Sequence, residues 1–185
     1  MPAMLILRRL TEVDEQEAMR AHRATSPGYA SFLQYYTEDM PFAEYLHRLA
    51  DQERGVGLLP DYVPSAYLFA FAGERIVGRV SIRPEPDPFL VLRNGHIGYA
   101  VVPEFRRQGY GKALLRLALE RARDEYGLSR VLVTCDEDNE GSIQIIESCG
   151  GVFEEVVEDP ALEKPKRRYH IDIGPATPQP ACTWA

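Results

Sequence analysis

The chain has 185 residues, enough for one domain with a sizeable core at about 100–200 residues per domain. It is 45% hydrophobic and 26% charged with a formal net charge of −7, which excludes general nucleic-acid binding, since a polyanion wants a basic face. Nowhere do ~20 apolar residues run together as a membrane span would need, and no zinc spacing joins Cys135, Cys149 and Cys182, so a reduced cytoplasm is the expected setting.

Leu5-Ile6-Leu7 begins a short strand that ends near Thr11; this apolar run is too short, and lacks the preceding basic region, for a signal peptide. Thr11 is placed to cap a helix through about Ala24, with Glu12, Asp14 and Glu15 near its start, where the helix dipole favours acids. Ser26-Pro27-Gly28 breaks it, and the aromatic-rich stretch from Tyr29 follows without clear periodicity. Phe42, Tyr45, Leu46 and Leu49 have helical spacing, which predicts a second helix from Pro41 to Glu53 with Pro41 in its first turn. After the Gly- and Pro-rich loop 55–64, Ala66–Phe71 and Ile76–Ile82 read as a hairpin turned at Gly73-Glu74-Arg75. Pro84, Pro86 and Pro88 end its second strand, and Asn94-Gly95 signals another turn.

The next strand, Ile97–Val102, stops at Pro103, which cannot donate to a sheet ladder. From Gly111 onward Leu114, Leu115, Ala118, Leu119 and Ala122 mark one face of a helix. Between strand and helix lie Arg106, Arg107, Gly109 and Gly111, with Lys112 just inside the helix. Glycines allow close backbone approach, and a helix N-terminus offers orphan N–H donors and partial positive charge, so the junction suits an anion. A Walker loop would need glycine at Arg106 and a hydroxyl residue at Ala113; a dinucleotide loop would need glycine at Leu114. What remains is Arg-x-x-Gly-x-Gly at 106–111; its plainer reading is a tight turn on a solvated basic loop.

The loop helix is predicted to run to about Tyr126 and end at Gly127, before a strand over Arg130–Thr134. An acidic run, Asp136-Glu137-Asp138-Asn139-Glu140, precedes a short helix that carries Ile143, Ile145 and Ile146 and stops at Gly150-Gly151. Val152–Val157 and Arg168–Ile173 read as closing strands, and Gly174–Ala185 as a mobile tail. The order predicts a mixed α/β single domain over residues 1–173, antiparallel in its hairpin and parallel across the loop helix.

The hexapeptide Arg106–Gly111 resembles the pyrophosphate-binding motif of the GNAT superfamily of acyl-CoA N-acyltransferases. The run from Asn139 through Ser142 to Gly150 resembles the second motif of that family. More narrowly, Gly95-His96-Ile97-Gly98-Tyr99, Val133–Asn139 and Arg168-Tyr169 together resemble a bacterial branch of predicted acetyltransferases; the likeness covers Ser65 to Ile173. It implies a GNAT-like mixed sheet of about seven strands, splayed between the fourth and fifth and flanked by about four helices. It further implies acetyl-CoA as acyl donor, transferred to a primary amine of a small molecule or peptide terminus, without nucleic acid or membrane; a homodimer stays open. By the same resemblance, Tyr99, Ala100 and Val101 would pair with the pantetheine, and Arg106, Arg107, Gln108, Gly109, Tyr110, Gly111 and Lys112 would cradle the pyrophosphate. Asn139 would cap its helix or bond the pantetheine arm. The thioester would lie near Tyr99 and Thr134.

The proton chemistry departs from the family. Ile146 stands where many members place an acidic Tyr, and Thr134 where some place a basic Glu. His96 becomes the candidate base, since imidazole titrates near neutrality, with a structural histidine as the alternative. Tyr169 is the candidate donor to the thiolate, with core packing as its alternative. The acidic run could attract a cationic amine or stand as a solvated loop. The aromatic stretch from Tyr29 to Tyr45 is expected to shape the acceptor pocket. Without its usual acid and base, a non-catalytic CoA-binding sensor or assembly module is the competing function.

Overall fold

The computed structural model describes residues 4–25, 32–58, 62–85, 95–160 and 162–175. Seven strands form one sheet: β1 (Leu5–Arg8), β2 (Ala66–Ala72), β3 (Arg75–Ile82), β4 (Ile97–Val101), β5 (Arg130–Asp136), β6 (Val152–Val157) and β7 (Lys166–Asp172). Among the described residues four α-helices flank it: α1 (Glu15–Thr25), α2 (Phe42–Arg54), α3 (Tyr110–Asp124) and α4 (Glu140–Ser148). Strand order is β1-β2-β3-β4-β5-β7-β6, and β4–β5 is the parallel pair among antiparallel neighbours. The expected mixed sheet and helix count are thus present. Calls that rested on Ser26–Ser31, Pro86, Pro88, Asn94 and the tail beyond Pro175 lie outside the described residues.

β2 is buried along nearly its whole length because both faces of the sheet are covered. On one face Leu114, Leu115 and Ala118 of α3 and Ile146 of α4 pack on Val80, Ile97 and Val133. On the other, Ala18 and Ala21 of α1 and Tyr45 and Leu49 of α2 pack on Tyr67, Phe69 and Phe71. Most of the aromatic stretch belongs to this second layer: Phe32, Leu33 and Tyr45 are fully buried. The helix stops follow the sequence signals. Gly55 takes φ 74 and Gly127 φ 67, and the residue after each returns its N–H to the last helical turn, Val56 to Asp51 O at 2.9 Å and Leu128 to Ala122 O at 3.1 Å.

The first helix begins differently from its expectation. A 3₁₀ turn, Glu12–Asp14, precedes α1, and Thr11 caps that turn in a capping box with Asp14, whose Oδ2 accepts from the Thr11 N–H and hydroxyl at 2.8 Å. Arg8 of β1 holds the same carboxylate bidentately at 2.7 Å through each nitrogen. This clamp lowers the Asp14 carboxyl from 3.8 to about 2, with the Arg8 hydrogen bonds the largest cause. The depressed value makes the contribution complete above pH 3.8 and progressively lost toward pH 2, worth roughly 2 kcal/mol. Asp14→Asn should therefore lower the melting temperature at pH 7 but leave it nearly unchanged at pH 2; equal losses at both would refute the clamp.

Candidate functional site

β4 positions the site because it is held firmly on one side and released on the other. It pairs with β3 over five positions, Gly78↔Val101 to Ile82↔Ile97, but with β5 at Ile97↔Val133 alone. Beyond that bridge the two strands part. Hydrogen-bonded pairs alternate along an antiparallel ladder, and Val102 N–H donates to Val77 O at 2.9 Å, so Ala100 and Gly98 turn their main-chain groups to β3. Tyr99 and Val101 turn theirs to the gap. Of the three residues expected to offer backbone groups, Ala100 thus offers none, though it lines the cleft. Val101 O already accepts from Arg106 Nε at 3.2 Å.

A cleft of about 550 Å³ runs from this gap over the loop into the groove between α3 and α4. Arg106, Arg107, Gly109, Gly111 and Lys112 line its loop end. Arg107 and Gly109 both have left-handed backbones, φ 61 and 85, and Gly109 caps the start of the fifteen-residue α3. Such a turn gathers successive N–H groups around one point, beside the partial positive charge of the helix start. A Cβ on Gly109 would meet nothing within 4 Å, whereas one on Gly111 would come 2.7 Å from Ile145 Cδ1 of α4. The cradle is open above Gly109 and closed at its floor by small residues.

Two loop residues are placed otherwise than expected. Gln108 turns back, its Nε2 donating to Glu104 O at 2.9 Å, and Tyr110 is buried against Phe105, rings 5.9 Å apart. Neither residue lines the cleft. Glu104 accepts from Arg20 and, at 2.9 Å, from Arg75, which ties the loop's entry to α1 and β3. Residues missed in the sequence lie on α4: Gly141, Gln144, Ile145 and Ser148 line the cleft. Their i, i+3, i+4, i+7 spacing was the available signal. Asn139 does cap α4, its Oδ1 accepting from Ser142 N–H at 3.0 Å, and it also lines the cleft.

At the gap the cleft continues into a recess of about 210 Å³, shared through Tyr99, Asn139 and Ser142 and walled by Arg83, Thr134 and Asp136. His96 sits at the hinge of this gap but works as a splint. Its N–H donates to Leu132 O at 2.8 Å, and its Nδ1 accepts from Leu132 N–H at 3.0 Å. Nδ1 is therefore occupied and Nε2 carries the proton, so no lone pair is left for an incoming one. Burial, then the nearby His170, lowers the His96 pKa and keeps the ring neutral, as this acceptor role requires. The geometry corrects the expectation of a base: His96 fixes where β4 and β5 part.

Tyr169 is corrected too. It is fully buried on β7 behind Val133, its hydroxyl donating to Glu147 Oε1 at 3.2 Å and its ring packed on Phe153. It faces neither cleft nor recess. Ile146 is likewise fully buried, so this position of α4 points into the core. Two acids of the acidic run are paired locally, Asp136 with Lys166 and Asp138 with Lys164 at 2.6 Å, which weakens the attraction expected for a cationic amine. Burial raises the Cys135 thiol to about 11. It stays protonated and is a poor nucleophile.

The model of the acetyltransferase (GNAT) family matches residues 29–150. Streptothricin acetyltransferase A of Bacillus subtilis is 24% identical over 110 residues, 60% of this chain; the match spans 61% of that protein's length. A chimera of spermidine N-acetyltransferase SpeG from Vibrio cholerae and hSSAT superposes with TM-score 0.64 at 17% identity, covering 92% of this chain and 97% of that one. An acetyltransferase of the GNAT family from Streptococcus pneumoniae gives 0.61 at 19% identity, covering 92% and 100%. The yncA structure from Salmonella typhimurium, with its cofactor acetyl-CoA, gives 0.60 at 14% identity, covering 96% and 99%. At these identities the structural likeness speaks for the fold.

Proposed function

The chain belongs to the acetyltransferase (GNAT) family, and from that premise we propose that it moves an acetyl group from acetyl-CoA directly to a primary amine. The observation that carries this reading is the parting of β4 from β5 beside a left-handed, glycine-containing helix entry. Acetyl-CoA supplies the activated thioester; the rest falls to the chain. The Arg107–Gly109 turn and the start of α3, with Arg106 and Lys112, hold the pyrophosphate. Tyr99 and Val101 main-chain groups and the Asn139 amide orient the pantetheine arm, as an added strand would be oriented.

Direct transfer fits the thiols, since Cys135 is held neutral and no covalent carrier is needed. The amine must be neutral to attack, and Asp136, the carboxylate at the recess, takes its proton only as it gives up its Lys166 partner. The Ser142 hydroxyl, shared by cleft and recess, is the matching donor for the departing thiolate. Neither residue replaces the usual acid and base by sequence position, so alignment of the two reactants carries much of the rate.

Free-thiol release from acetyl-CoA, followed with a panel of primary amines and checked by mass for the amide, tests the reading. An amine-dependent rate well above hydrolysis is expected. His96→Ala should lower the melting temperature and slow transfer while keeping the limbs of the pH–rate profile in place. A limb lost in His96→Ala would restore His96 as the base. Acetyl-CoA binding with no amine-dependent release would overturn catalysis and leave a CoA-binding module.

A further inference from the structure

Many arginines of this chain pair with acids, among them Arg8, Arg9, Arg20, Arg75 and Arg168. Arg79 and Arg83 do not. Arg79 projects from β3 and Arg83 from just past its end, on the α1/α2 side of the sheet, and among the described residues neither forms an ion pair, in a chain with 28 acids against 21 bases. The Arg79 Nε is buried without a hydrogen-bond partner, its guanidinium 5.7 Å from the Tyr67 ring centroid. The Tyr45 hydroxyl, on the same layer, is also buried and unpartnered. Arg83 walls the recess at the gap, with NH1 donating to Gly95 O at 3.2 Å and NH2 to Ser81 Oγ at 3.1 Å. Gly98 leaves room for the Ser81 hydroxyl that holds Arg83: a Cβ there would lie 2.9 Å from Ser81 Oγ.

Five N–H donors on a guanidinium exceed the bonds Arg83 makes among the described residues, to Gly95 O, Ser81 Oγ and Tyr67, and a charge taken from water is costly unless something pairs with it. Burial lowers the pKa of both arginines, Arg83 lowers that of Arg79 further, and the described groups that offset this are tyrosines rather than carboxylates. Tyr35, whose ring packs on Tyr67 and Tyr62 at 5.7 Å, is held at φ 69, a left-handed backbone unusual for a bulky side chain. Across the recess Lys166 already satisfies Asp136, so Arg83 leaves the recess net positive. A polyamine would meet repulsion there.

Resting on the acetyl-transfer reading above, we propose that the acceptor is a compact amine bearing its own anionic group, a carboxylate or a phosphate. Arg83 binds that anion with Arg79 behind it, and the amine is thereby aimed through the gap toward Tyr99 and Thr134. The phosphate loop cannot serve this purpose, since it follows the Val101 end of β4 while Arg83 lies over the Gly98 end. A recess of about 210 Å³ suits an amino acid, an aminoalkyl phosphate or the end of a short peptide.

Matched acceptors decide the point in the wild-type enzyme: amino acids against their carboxamides, phosphoethanolamine against ethanolamine, and spermidine alone. An anionic amine should exceed its neutral twin by about 100-fold in kcat/KM, the carboxylate and phosphate arms naming the source. Arg83→Gln should collapse that ratio below about tenfold, chiefly through KM, and Arg83→Lys should restore part of it, each with a melt to confirm folding. Preference for spermidine or for the neutral twins would overturn the anion site and leave acetyl transfer standing. Silence with every amine would overturn both.

Discussion

Gly109→Asp is expected to weaken acetyl-CoA binding by at least about 100-fold, near 3 kcal/mol, in a protein that remains folded. The physical case rests on two facts. Gly109 occupies φ 85 at the cap of α3, and its missing Cβ faces open space rather than the core. A carboxylate grown there would stand where the pyrophosphate must approach, and two anions at that distance repel strongly in a cleft partly shielded from water. The left-handed backbone costs a side chain about 1–2 kcal/mol, so a modest fall in melting temperature accompanies the loss. Gly109→Asn separates the causes. It has the same shape and tolerates the same backbone but carries no charge, and should bind within several-fold of wild type. Calorimetric titration with acetyl-CoA measures all three proteins; equal loss in Asn and Asp variants would mean that backbone geometry, not charge, holds the ligand.

The second large effect belongs to Gly95→Ala. This glycine has φ 58, and a Cβ on it would lie 2.5 Å from Leu132 O and 3.0 Å from Leu132 C. That carbonyl is the acceptor for His96 N–H, so β5 cannot retreat without breaking the junction that sets the gap. Backbone strain and the clash together should destabilise by about 3 kcal/mol or more, which at this chain length means a fall of roughly 6–12 °C. Gly73→Ala is the control: it shares the left-handed backbone, φ 62, but has nothing within 4 Å, and should cost only about 1 kcal/mol. Similar melts for the two variants would show that the Leu132 contact relaxes freely. In Gly95→Ala, acetyl transfer should fall further than stability alone explains, because the gap would no longer be fixed.

Local rules made much of this protein legible in its sequence. Helix faces such as Leu114, Leu115, Ala118 and Ala122 repeat every three or four residues because one side must be buried, whatever buries it. Gly55, Gly109 and Gly127 stop or start helices through their own backbone freedom, and the Arg-x-x-Gly-x-Gly spacing holds its ligand largely with neighbouring main chain. Such signals need no distant partner. Readings that did need one were decided by the tertiary structure. His96 was a base by its chemistry until Leu132, thirty-six residues away, took its Nδ1. Tyr169 was a proton donor until the β5–β7 pairing placed it under Glu147. Two acids of the acidic run gained basic partners only when Lys164 and Lys166 folded across it. Arg79 and Arg83 gave no sign in the chain, because what marks them is a place behind the gap with no ion pair among the described residues. Composition, periodicity and turn chemistry chose the fold and the cofactor end of the site; pairing across the sheet chose which charges stayed unmatched, and with them the chemistry of the acceptor end.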